Sequence, residues 1–376
     1  ASDVYKRQLT IQQWFAGLYA HADVEADPSS AGRQMNGHFA TRSLNADGTW
    51  KDLTKIKNSS ADISPTGSQM PRLLGLAMAS KYFRQNTELQ QGEFLKFSRG
   101  GNEIAFGTIG DASTSEGHFW ESINAAGVMQ IPMLISVWDD GHGISVPKKY
   151  QTTKENISEL LKGFQRDDKF NGYEIFRVKG WDYPALCETY EKAAAICREQ
   201  HIPVLVHVDE MTQPQGHSTS GSHERYKSAE RLQWEQDFDP IHKMREWMIT
   251  SSLSTAEELT IIEAEAKQSV KNYRNAAWNG YLAPIKEEVK EVCVLLDAVI
   301  AESNNDLVQQ VRNELGALSD PIRKDVSSSI KRVLRQLRFE NISSKQKLVD
   351  WLNMSNISNY DRYNAYLYSH SAKNIS

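Results

Sequence analysis

The chain has 376 residues, with 43 basic and 48 acidic side chains, a formal charge of −5 and 40% hydrophobic content. That length holds one large α/β domain and an appendage; the lysines are scattered and form no stripe of the kind that selects nucleic acid, and no run of about 18 apolar residues is present to span a membrane. Three well-separated cysteines, Cys187, Cys197 and Cys293, argue against a disulfide framework or a zinc site and for a reducing compartment, read here as the cytoplasm.

The first residues, ASDVYKRQ, carry no initiator Met and resemble neither a signal nor a transit peptide. Residues 9–20, LTIQQWFAGLYA, are expected to form an amphipathic helix, and a polar loop region then runs to residue 68. A loop of that length calls for a function or a bracing partner. Ser64-Pro65-Thr66 makes an extended turn ahead of a helix over 69–83, whose Met70, Leu73, Leu74, Ala77 and Met78 recur at helical spacing.

Two short apolar runs follow, EIAFGTI at 103–109 and PMLISVW at 132–138, each with the length and composition of a buried strand. Between them Glu116 to Met129 reads as a helix, with Phe119, Ile123, Ala126 and Gly127 on one side and the GDASTSE segment supplying caps. This strand, loop, helix, strand unit is of parallel-sheet type, and such sheets collect ligands beyond the carboxyl ends of their strands. The first strand ends at Gly110-Asp111 and the second at Asp139-Asp140-Gly141. Asp111 and Asp140 are therefore candidate carboxylates for a Mg²⁺ that bridges to a diphosphate, with Gly110 and Gly141 letting the backbone come close. A lone Asp at a strand end is more often a turn residue or a cap. Spacing alone leaves both readings open.

A second such unit follows: strands over 173–178 and 203–208 joined by a helix over 183–199, with Asp182 as its cap. The loop MTQPQGHSTSGSHERY, 211–226, lies at the carboxyl end of the last strand, where sites form, and His217 stands out in it. From Asp239 onward the chain reads as all helical, with separate helices over 256–279 and 285–302. The expected architecture is α/β, a parallel sheet of at least four strands flanked by helices with a C-terminal helical extension. Its boundaries are 1–68 for the N-terminal helix and loop, 69–238 for the α/β domain and 239–376 for the extension.

The run from Gly110 to Ser145 resembles the thiamine diphosphate signature, in which Gly-Asp-Gly is followed at a distance by Asn-Asn. With TSEG, GISVP, GRQMNGH at 32–38, SPTGSQMPR at 64–72, VKGWD at 178–182 and QGHSTS at 215–220 in the same order, residues 15–250 resemble the alpha subunit of the decarboxylating first component of 2-oxo acid dehydrogenase complexes. GRQM tilts the resemblance toward the branched-chain type. It implies that Asp111, Asp140 and the carbonyl of His142 hold Mg²⁺. It further implies that Ser64, Thr66, Gly110, Asp111, Ala112, Ser113, Asp140, His142 and His217 bind thiamine diphosphate, and that His217 also handles substrate. The implied partners are a beta subunit, or a beta portion fused to the same chain, and a lipoyl-bearing acyltransferase. Alternatives within the resemblance are pyruvate, acetoin or transketolase-like chemistry, or a subunit that has lost its cofactor. Three departures stand out: Ala112 replaces the second glycine, Asp139-Asp140 replaces Asn-Asn, and Gln213 stands where many relatives have an arginine.

Overall fold

The computed structural model describes residues 9–33, 40, 41, 43–45, 47–56, 58–60, 65–213, 215–217 and 222–364. These fall into two units, one of Ala40–Ile262 and one of Ala1–Phe39 with Glu263–Ser376. Helix α1 (Ile11–Leu18) belongs to the second unit; it is closed at its start by Thr10 and Gln13, each accepting the other's backbone N–H.

The first unit is built on a four-stranded, wholly parallel sheet. Its strands are β1 (Ala105–Gly110), β2 (Met133–Trp138), β5 (Glu174–Lys179) and β6 (Val204–Asp209), in the spatial order β1-β2-β6-β5. A two-residue hairpin, β3 (His142–Gly143) with β4 (Val146–Pro147), follows β2. Helix α2 (Gln69–Gln85) precedes the sheet, α3 (Gly117–Met129) joins β1 to β2, and α4 (Tyr183–Gln200) joins β5 to β6. Side chains alternate between faces along a strand. On one face Ala105, Ile109, Met133, Ile135, Val137 and Leu205 therefore pack under α2 and α3, through Met70, Leu73, Ala77, Phe119, Ile123 and Ala126. On the other, Leu134, Val178, Val204, Val206 and Val208 pack under Ala193 and Cys197 of α4. β2 and β6 lie inside the sheet, which is why their apolar runs are nearly unbroken.

The buried Tyr173 hydroxyl donates to the Ile123 carbonyl at 2.8 Å, and its ring lies so close to α3 that a Cβ on Gly127 would sit 3.3 Å from it. Asp182 caps α4 by accepting from the Ala185 N–H at 3.1 Å. Helices α5 (Ala229–Asp237) and α6 (Pro240–Thr250) are capped in the same way by Ser228 and Asp239. The described residues of 40–60, a stretch expected as loop, carry a 3₁₀ turn at Leu53–Lys55 and an isolated bridge between Leu44 and Trp50.

The C-terminal helices differ from the sequence reading. The two helices expected on either side of Pro284 are a single helix, α7 (Ala256–Ser303). A proline inside a helix removes one hydrogen bond and ordinarily breaks or kinks it. Here Ala277, Leu282, Ile285, Val289 and Val292 are all buried, so one apolar stripe runs through the proline and its packing outweighs the lost bond. In the second unit α8 (Asp306–Gly316), α9 (Arg323–Gln336) and α10 (Lys345–Tyr363) share a core with the later part of α7. Its residues recur at helical spacing, Val308, Val311 and Leu315 on α8 and Val326, Ile330 and Val333 on α9. No helix among the described residues is long and apolar enough to cross a membrane.

Candidate functional site

The parallel ladder pairs Gly110 with Trp138 and carries on one residue past both strand ends, the Asp111 N–H donating to the Trp138 carbonyl at 3.0 Å and the Asp139 N–H to the Val208 carbonyl at 2.9 Å. Asp111 and Asp139 are thereby collected at the carboxyl end of the sheet, with Asp140 next in the chain. Period-two alternation places Asp111 on the face of Ile109, Asp139 on that of Val137, and His207 on that of Leu205. All three faces are the one covered by α2 and α3. Asp111, Asp139 and His207 are each at most 5% exposed.

The two buried carboxylates have opposite surroundings. Asp139 is enclosed by donors: Lys148 Nζ at 2.8 Å and His207 Nε2 at 3.0 Å from Oδ2, and the Gly141 N–H at 2.9 Å from Oδ1. Burial pushes its carboxyl up, but the bonds from His207 and Lys148 and the lysine charge overcome this and hold it at about 2. Asp111 has no such enclosure. Its Oδ2 is buried without a hydrogen-bond partner, and burial, then the charges of Asp139 and Asp140, push its carboxyl up to about 7. A buried carboxylate oxygen lacking a donor is costly, and a bound cation is one group that relieves it. By contrast Asp209, at the end of β6, is met by Arg177 and Lys179.

Asp140 begins the turn into the hairpin. Its Oδ1 accepts the His142 N–H at 3.0 Å, Gly141 adopts a φ of +81°, and the Gly141 carbonyl accepts the Lys148 N–H at 2.9 Å. The hairpin lies against the loop after β1. A Cβ on Gly143 would fall 2.1 Å from Gln151 Nε2 and 2.8 Å from the Ala112 Cβ, so only glycine fits there. Ala112 opens a 3₁₀ turn, Ala112–Ser115, without entering the left-handed region, and this accounts for alanine where the signature has glycine.

The cluster thus gathers Gly110, Asp111, Ala112, Ser113, Asp140 and His142. The turn bearing Thr66 packs on the start of α3, since a Cβ on Gly67 would lie 3.0 Å from that of Glu116. Thr66 itself is exposed, and Ser64 lies outside the described residues. His217 is exposed, with no hydrogen bond among the described residues, and its neighbours 218–221 fall outside them. Gln213 Oε1 is buried without a partner.

Four residues of this site were not singled out in the sequence. Lys148 and His207 pair with Asp139, and Ser158 holds His207 by its Oγ at 2.9 Å from Nδ1. Arg231 Nη2 donates to the Asp140 carbonyl at 2.9 Å while its Nε donates to Glu235 Oε1 at 2.8 Å, bringing a guanidinium to the turn. The doubled Asp139-Asp140 was itself a signal that a nearby cation was needed; the sequence does not say which.

No group of three His, Cys, Asp or Glu side chains among the described residues is placed to share a metal ion. A cation at this site could instead use the Asp111 and Asp140 carboxylates and a backbone carbonyl, a hard-oxygen set of the kind Mg²⁺ takes. The raised carboxyl has a direct consequence for the metal-free chain. An acid whose folded pKa lies above its unfolded one takes up a proton on folding, so its contribution is fully favourable below about pH 4 and is lost as pH rises through about 7. The unfolding free energy of the wild type relative to Asp111→Asn is expected to fall by roughly 2–4 kcal/mol between pH 4 and pH 8. Urea unfolding of both proteins across that range measures it, and a flat difference would contradict the raised carboxyl.

Residues 7–284 match the family model described as dehydrogenase E1 component. Over 222 residues the chain is 26% identical to the mitochondrial pyruvate dehydrogenase E1 component subunit alpha, somatic form, of Pan troglodytes, covering 59% of this chain and 50% of that protein. It is 24% identical over 223 residues to the pyruvate dehydrogenase E1 component subunit alpha of Rickettsia bellii, covering 59% of this chain and 60% of that one. The 2-oxoisovalerate dehydrogenase subunit alpha of Bacillus subtilis is 26% identical over 261 residues, 67% of each chain. The chain spans about half the length of the mammalian relatives it matches. These names correct one expectation, the cytoplasm: the mammalian relatives are mitochondrial by name. Free cysteines report only reducing surroundings, which do not single out one compartment.

Proposed function

Because the chain belongs to the dehydrogenase E1 component family, we propose that it is the alpha part of a thiamine diphosphate-dependent 2-oxo acid dehydrogenase and holds the Mg²⁺-diphosphate end of the cofactor. The observation that carries this reading is Asp111, a buried carboxylate with an unpaired oxygen at the end of β1, facing the Asp139-Asp140 turn at the end of β2. In this reading Asp111, Asp140 and the His142 carbonyl hold the cation, and Gly110, Ala112 and Ser113 line the diphosphate from the loop leading into α3, whose N-terminus favours an anion. By the resemblance, Thr66 and Ser64 would bind the cofactor's ring end and His217 would handle the substrate. When bound, thiamine diphosphate supplies the electron sink for loss of CO₂ from the 2-oxo acid. The chain's own part is to fix the anion, order the Asp139 to Lys148 turn and keep water from the buried side of the cluster.

We assign the substrate to the branched-chain 2-oxo acids, supported by GRQM at 32–35 and by the likeness to a 2-oxoisovalerate dehydrogenase subunit. The beta part of the enzyme and a lipoyl-bearing acyltransferase are the partners this implies. The chain alone is then expected to show no decarboxylation of 2-oxoisovalerate with a dye acceptor, and addition of the beta part to restore turnover. Turnover by the purified chain alone, or none with the beta part present, contradicts the assignment.

A further inference from the structure

Asp139 and Asp140 put two negative charges where an Asn-Asn pair would put none, and Asp111 adds a third across the ladder. A diphosphate brought to such a cluster is repelled unless something offsets the excess. The offset is visible around Asp139 alone. Lys148 Nζ lies 2.8 Å from its Oδ2, the distance of a charge-assisted bond, and His207 Nε2 lies 3.0 Å from the same oxygen, within hydrogen-bond reach. His207 is wholly buried and braced from behind by Ser158, whose own Oγ is 2.9 Å from Asn156 Oδ1.

Lys148 does a second thing. Its backbone N–H donates to the Gly141 carbonyl at 2.9 Å, while the Gly141 N–H donates to Asp139 Oδ1 at 2.9 Å. One residue thus holds the turn from Asp139 to Gly141 at its charge and at its backbone, and that turn presents Asp140 and the His142 carbonyl. Asp139 is fully committed to these donors. Asp111 and Asp140 have no ion-pair partner among the described residues.

We propose that Lys148 positions Asp139 and offsets its charge, with His207 as a second hydrogen-bond donor, which makes an Asp-Asp strand end competent to take a Mg²⁺-bound diphosphate. Asp139 is then a support and not a ligand, and one of the two charges that set this chain apart from an Asn-Asn signature, that of Asp139, is offset within the protein by Lys148. The inference rests on the cofactor reading above, and it predicts that charge at 139 and charge at 148 must change together.

The test is a calorimetric titration of thiamine diphosphate in the presence of Mg²⁺ into the chain assembled with its beta part, for the wild type, Lys148→Met, Asp139→Asn and the double variant. Removing Lys148 strands the buried Asp139 carboxylate, whereas removing both charges does not. Lys148→Met is expected to weaken binding about tenfold, and the double variant to return to within about threefold of the wild type. Melting of the cofactor-free proteins is followed in parallel. A lysine that only braces the fold would lower the melting temperature without moving affinity, and that result overturns the proposal. So does a folded double variant that binds as weakly as Lys148→Met. If Lys148→Met does not fold, the double variant, which strands no charge, still decides the matter. A wild type that takes up no thiamine diphosphate overturns the cofactor reading itself and this inference with it.

Discussion

Asp111→Asn is expected to weaken Mg²⁺-dependent binding of thiamine diphosphate by about 100-fold or more, since the proposed cation ligand loses its charge while the packing around it is kept. The same substitution is expected to stabilise the metal-free chain at pH 7 to 8. There the wild-type carboxyl is partly ionised, buried, and faced by Asp139 and Asp140 without a donor on Oδ2. Opposite signs for binding and stability distinguish this from a simple folding defect. A site that keeps a destabilising carboxylate is one where function and stability pull apart. If Asp111→Asn binds the cofactor as well as the wild type, the carboxylate is not a ligand.

Phe119→Ala is expected to cost about 3–5 kcal/mol of unfolding free energy, the range for truncating a fully buried aromatic ring. Phe119 is 0% exposed on α3 and belongs to the core shared with Met133, Ile135 and Val137 of β2. Its ring also meets that of Trp120 edge-on, with centroids 5.4 Å apart. Because α3 follows directly from the loop that carries Asp111 to Ser115, the cavity would loosen the site as well as the fold. Urea denaturation measures the loss, and a change under about 1 kcal/mol would show that the site collapses around the gap at little cost.

Much of this was legible along the chain. The short apolar runs at 103–109 and 132–138 point to the strands found at 105–110 and 133–138, and the spacing of Phe119, Ile123 and Ala126 points to α3. Asp111 and Asp140 followed from where those runs end. What stayed hidden depends on pairing between distant segments. His207 lies 68 positions from Asp139 and looks like one more strand residue until β6 is set beside β2. Lys148 is only 9 positions from Asp139, but their meeting needs the hairpin at His142–Gly143, too short to carry a pattern. The break expected between residues 279 and 285 is absent for a related reason: the local preference of Pro284 to break a helix is overridden by Leu282 and Ile285, whose burial is a property of the second unit's packing.

The central claim is that the Asp111 and Asp140 strand ends form a working Mg²⁺-diphosphate site. Native mass spectrometry of the chain assembled with its beta part, given thiamine diphosphate with Mg²⁺ or with a chelator, tests it most directly. The account predicts stoichiometric uptake with Mg²⁺ that disappears with the chelator. No uptake in either case, or equal uptake in both, would contradict it.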